Sequence, residues 1–185
     1  ILPFDTAHQT YALDSVQLKI KANTSYTLSV STADGKSVEA STTVPSQNTT
    51  LTYTTSFDTQ SNHYKFRGTW QDPESGGDYY RLEVGRDQNS STWYYADAAD
   101  LTDEDNSGGK ISTTLELTYY SSGDTTYASL LSASSEFYNF FSRVKNRGFS
   151  VDGGLLTEPM PMYTNVKNGL GIFAGFNRYK VKVDF

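Results

Sequence analysis

Apolar and polar positions alternate in short runs along most of the chain, which is the period of half-buried β-strands. Tyr11, Leu13, Val16, Leu18 and Ile20 follow this rule with a phase change around Asp14 and Ser15, predicting a strand broken by a turn or bulge. Residues 23–30 alternate cleanly, Asp34-Gly35 follows, and Val38, Ala40, Thr42 and Val44 continue to Pro45, which predicts a β-hairpin. Residues 46–55 are rich in Ser, Thr and Asn and read as a linker or an exposed edge. Residues 63–70 and 79–84 read as strands around a turn at 72–78, and residues 92–95 as a short aromatic strand. Residues 97–109 are acidic and end in glycine, so a surface loop is expected, with further strands at 111–119 and 125–131.

The period changes once. Phe137, Phe140, Phe141 and Val144 fall at i, i+3, i+4 and i+7, predicting a short helix over 135–147 with those side chains buried against a sheet. Ser135 is the expected N-cap, Glu136 suits the first turn, Lys145 and Arg147 suit the last, and Gly148 is the expected stop. The tail returns to alternation, Tyr179, Val181, Val183 and Phe185 against Lys180, Lys182 and Asp184, so the last strand is expected to close the core. Just before it, Gly169, Gly171 and Gly175 are interleaved with Leu170, Ile172, Phe173 and Phe176, marking a bend or a close approach of another element. The whole predicts an all-β, antiparallel, sandwich or barrel-like fold with one helix.

Composition narrows the function classes. The 185 residues carry a net charge of −6 and no basic stripe, which argues against nucleic acid. No apolar run approaches the roughly 18 residues of a membrane-spanning helix. Cysteine is absent, which excludes disulfides and Cys-ligated zinc. With 14 Tyr and 10 Phe, aromatic rings are expected to supply much of the buried area. The start, Ile1-Leu-Pro-Phe, has neither an initiator Met nor the basic and apolar regions of a signal peptide. The natural polypeptide is therefore expected to extend upstream of Ile1, supplying cover for the hairpin's apolar face.

Candidate chemistry is sparse. Asp97, Asp100, Asp103, Glu104, Asp105 and Asn106 offer hard oxygen ligands for calcium but lack the EF-hand order, so no metal is assigned and the acids are read as solvated. His8 and His63 stand apart, without neighbouring ligands, and no Gly-x-Ser-x-Gly elbow is present. No catalytic residue and no cofactor is assigned. Exposed Trp and Tyr stack on sugars or anchor interfaces, which makes Trp70, Tyr79, Trp93 and Tyr95 the candidates for ligand or partner contact, with Tyr80 and Tyr94 beside them. Adjacent residues on a strand face opposite sides, so half of these rings belong to the core. The expected patch joins the turn at 72–78 to the aromatic strand at 93–95.

Four segments carry a family resemblance: residues 26–36 with Thr43-Val44-Pro45; Trp70-Gln-Asp72-Pro73 with Asp78-Tyr79-Tyr80-Arg81; Ser135-Glu-Phe137-Tyr138-Asn-Phe140; and Glu158-Pro159 with the Asn-x-x-x-Gly-x-Gly-x-Phe run from Asn165 to Phe173. Together they resemble outer-membrane lipoproteins of Bacteroidota-type bacteria held as a domain of unknown function, commonly encoded beside TonB-dependent receptors. The resemblance implies an immunoglobulin-like N-terminal module, of which residues 1–45 would be the last strands, followed by a β-rich domain over 46–185. It also implies a lipid anchor upstream of this chain, a surface or periplasm-facing location and a TonB-dependent import receptor as partner. It supplies no catalytic residues. A fimbrial or adhesin-like structural subunit completed by a partner's strand is the first alternative, and a glycan-acting enzyme the second.

Overall fold

The computed structural model describes residues 2–14, 16–48, 50–73, 77–88, 92–102, 108–117, 125–150 and 161–184, with backbone alone described at 86–88, 92–102 and 145–150. In chain order the strands are β1 (Phe4–Asp5), β2 (Thr10–Tyr11), β3 (Thr24–Ser31), β4 (Ser37–Val44), β5 (Thr52–Asp58), β6 (His63–Gln71), β7 (Tyr79–Gln88), β8 (Thr92–Thr102), β9 (Lys110–Leu117) and β10 (Thr126–Ala133). Helix α1 (Ser135–Ser150) and strand β11 (Phe176–Val183) follow. Every named strand pair is antiparallel.

Two sheets make the sandwich, one ordered β5-β6-β9 and the other β11-β10-β7-β8. Alternation decides what lies between them. Phe66 and Trp70 of β6 and Ile111, Leu115 and Leu117 of β9 face Tyr80, Leu82 and Val84 of β7, Ala128 and Leu130 of β10 and Val183 of β11. Gly68 lets the sheets approach, since a Cβ there would lie 2.9 Å from Leu82 Cδ2. Strand β10 is central in its sheet and is buried at seven of its eight residues, with Tyr127 alone intermediate, so it reads as a near-continuous apolar and small-residue run. The closing strand pairs with β10 from Phe176↔Ala133 to Val183↔Thr126, as the alternation of the tail predicts.

The hairpin β3–β4 turns at Asp34-Gly35, where Gly35 sits at φ +84°. Two differences from the sequence reading, at 16–21 and 97–102, have physical causes. Residues 16–21 form no strand: Leu18 and Ile20 alternate, yet no described neighbouring strand pairs with them. Residues 52–58 are the edge strand β5, the exposed edge of the two readings given for 46–55, and their Thr and Ser side chains suit a solvent-facing edge. Residues 97–102 are the second half of β8 rather than loop, held by the register Val84↔Asp97 to Tyr79↔Thr102.

Helix α1 also departs from expectation. Its cap is Ser134, whose Oγ accepts from the Phe137 N–H at 3.4 Å, and the helix runs through Gly148 to Ser150. Phe137, Phe140 and Phe141 are half-buried and Val144 is exposed, so the apolar face is docked but not sunk into a core. It rests on the outer face of the four-stranded sheet: Tyr138 stacks on Tyr79 at 5.0 Å, and the Arg81 guanidinium lies 4.8 Å from the Phe141 ring centre. Phe140→Ala is therefore expected to cost about 1–2 kcal/mol, not the roughly 3–5 kcal/mol of a fully buried Phe. Urea unfolding checks this, and a loss in the larger range would mean that the helix is buried.

Candidate functional site

The C-terminal glycine-rich run is a clamp on the hairpin. Asn165 Nδ2 donates to the carbonyls of Ser41 (3.0 Å) and Phe173 (2.7 Å), and its Oδ1 accepts from the Phe173 N–H at 2.9 Å. Lys167 and Glu39 exchange backbone hydrogen bonds of 2.8 and 3.4 Å, an isolated bridge on the edge of β4. The glycines are where the chains touch. A Cβ on Gly169 would lie 2.9 Å from Val38 Cγ1, and one on Gly175 would lie 3.0 Å from Val44 Cα. The Gly175 N–H donates to Thr42 Oγ1 at 3.1 Å, and the Thr42 hydroxyl donates to Glu136 Oε2 at 3.0 Å. Hairpin, C-terminal segment and the start of α1 are thus tied together.

Between them lies an apolar cleft of about 370 Å³, walled chiefly by Leu18, Ile20, Tyr26, Leu28, Phe173 and Phe176. The volume falls within the range of small-ligand and side-chain pockets. The Lys21 N–H donates to the Tyr26 hydroxyl at 2.8 Å, which holds residues 18–21 against β3. The rim is open: Ile20 is 53% exposed and Phe176 44%. Apolar side chains grouped and left in water mark a contact surface more often than a stabilising one.

A second, polar cavity of about 240 Å³ opens at one end of the sandwich among Asn48, Gln71, Asp72, Asp78, Tyr80 and Ser132. Asp72 is only 1% exposed and accepts from the Tyr80 hydroxyl at 2.9 Å. Burial, reinforced by that carboxylate, pushes the Tyr80 phenol well above its usual range, so it remains a donor. The side-chain amides here serve the backbone: Asn48 Nδ2 donates to the Gln71 carbonyl at 2.6 Å and Gln71 Nε2 to the Gly108 carbonyl at 2.8 Å. On the outer face of the sheet, buried Glu83 lies between Arg81 Nε (3.1 Å) and Arg178 (3.7 Å), an ion cluster beside the helix.

The three-stranded sheet carries its charges on the solvent side. Lys65 Nζ lies 2.6 Å from Asp58 Oδ2 and 3.7 Å from Glu116. The hydrogen bond from Lys65, with the backbone N–H groups of Gln60 and Ser61, holds the Asp58 carboxyl far below the usual carboxylate range. A depressed folded-state pKa contributes stability above the unfolded value of about 3.9, lost as pH falls through the folded value. The Asp58 carboxyl, followed by NMR, is expected to titrate well below the usual carboxylate range, and Lys65→Met to raise its midpoint toward the free value of ~3.9. An unchanged midpoint in that variant would remove Lys65 as the cause.

The residues singled out by sequence do not form one site. Trp70 is a correction: it is 1% exposed, its ring centre 5.6 Å from that of Tyr80 in the core, so no ligand can stack on it. Tyr79 is half-buried and engaged with Tyr138. Trp93 and Tyr95 lie on β8, and their side chains fall outside the described residues. Their strand positions are informative, since they pair with Asp87 and Gly85, whereas the turn at 72–78 leads into Tyr79 at the other end of β7. At about 3.3 Å per residue the expected patch is split by roughly 20–26 Å. Of the acidic run, Asp97 and Asp100 are on β8 with side chains undescribed, and residues 103–106 lie outside the described set.

His8 pairs with Asp5 at 2.7 Å in an exposed turn, and His63 opens β6 opposite Asp58. Among the described residues no group of three or more His, Asp or Glu is arranged to hold a metal. The cleft was missed because its walls come from residues 18–20, 26–28 and 173–176, far apart in sequence. The signal available was the surplus of apolar residues at 16–20 beside an already complete hairpin.

These features define an all-β sandwich protein with a clamped hairpin and an exposed apolar cleft. No helix among the described residues is long and apolar enough to cross a membrane. The chain belongs to the family described as Domain of unknown function (DUF4249), which matches residues 3–182. No curated protein matches it, and no solved structure does.

Proposed function

We propose that this protein is a non-enzymatic accessory or binding lipoprotein of the outer membrane, attached by a lipid upstream of Ile1 and working with a TonB-dependent import receptor. The receptor and the anchor come from the resemblance of the four quoted segments. The observation that carries a binding role is the cleft, where Leu18, Ile20 and Phe176 are left partly in water beside a hairpin that the clamp holds in place. Apolar side chains of this kind contribute about 25 cal/mol per Å² of surface that a partner removes from water.

Crosslinking and pull-down of the tagged protein from native membranes tests the reading, with Leu18→Asp/Ile20→Asp as the cleft variant. Wild type is expected to recover a TonB-dependent receptor, and the folded variant to recover about tenfold less, the equivalent of 1.4 kcal/mol. Equal recovery would place the interface elsewhere. Recovery of no receptor would end the accessory reading.

A structural-subunit reading is favoured by one observation. Among the described residues β3 pairs with β4 alone, leaving its other edge without a strand. A partner's strand added there would give the fimbrial or adhesin-like assembly.

A further inference from the structure

We draw no further inference here: the strongest candidate, the polar cavity at the end of the sandwich among Asn48, Asp72, Asp78 and Tyr80, rests on a pair of acidic residues with no second observation that points to a ligand.

Discussion

Trp70→Ala is expected to lower the free energy of unfolding by about 3–5 kcal/mol, the range for truncating a fully buried aromatic. Trp70 stands on β6 between the two sheets, against Tyr80 of β7. Its removal opens a void where Gly68, the adjacent inward-facing position, has no side chain to move in. Urea unfolding, followed by far-UV circular dichroism, measures the effect. The result separates two roles for the same residue. A ring that contacts a ligand is exposed, and its loss would weaken binding while leaving the midpoint in place. An unchanged midpoint would therefore overturn the core assignment.

Asn165→Ala is expected to cost about 2–4 kcal/mol, because three backbone groups lose a partner at once. The Ser41 carbonyl and both polar groups of Phe173 are served by this one side chain. Asn165→Asp keeps the acceptor for the Phe173 N–H and loses both donations, so an intermediate loss is expected. Hydrogen exchange localises the effect: the Phe173 and Lys167 amides should lose protection before those of β10. Uniform loss across the sandwich, or none, would show that Asn165 does not clamp the hairpin. The consequence reaches the proposed binding surface, since Phe173 and Phe176 on one wall of the cleft face Tyr26 and Leu28 on the other.

Much of the fold was legible in the pattern because a strand buried on one face must alternate. The hairpin with its Asp34-Gly35 turn, the strands of the sandwich and the closing strand at Phe176–Val183 follow from period and turn chemistry. The helix was legible from its 3.6-residue spacing, but not its depth. Phe137, Phe140 and Phe141 have the spacing of a buried face, yet the sheet beneath the helix presents Arg81, whose guanidinium lies over the Phe137 and Phe141 rings, and Tyr79, which stacks on Tyr138, so the rings stay half-buried. The acidic residues 97–102 were misread as loop because composition reports solvent contact, and a strand paired with β7 can carry acids as well.

The site was less legible than the fold. Aromatic side chains mark both cores and contacts, and a single sequence does not separate Trp70 in the core from Tyr79 under the helix. The glycines of the C-terminal run announced a close approach, since Gly169 and Gly175 have no room for a Cβ, but not that β4 was the element approached.

What the sequence by itself determined is local: strand period, turn positions, one helix, and the absence of cysteine, of a basic stripe and of an apolar run long enough for a membrane-spanning helix. Those properties depend on neighbours within a few residues. The tertiary structure decided which apolar faces met. It buried Trp70 between sheets, drew Asn165 across to Ser41 and Phe173, and left Leu18, Ile20 and Phe176 around an open cleft. The physical reason is that burial and hydrogen-bond partnership are properties of pairs far apart in the chain, and alternation tells only that a side chain has an inner face, not what covers it.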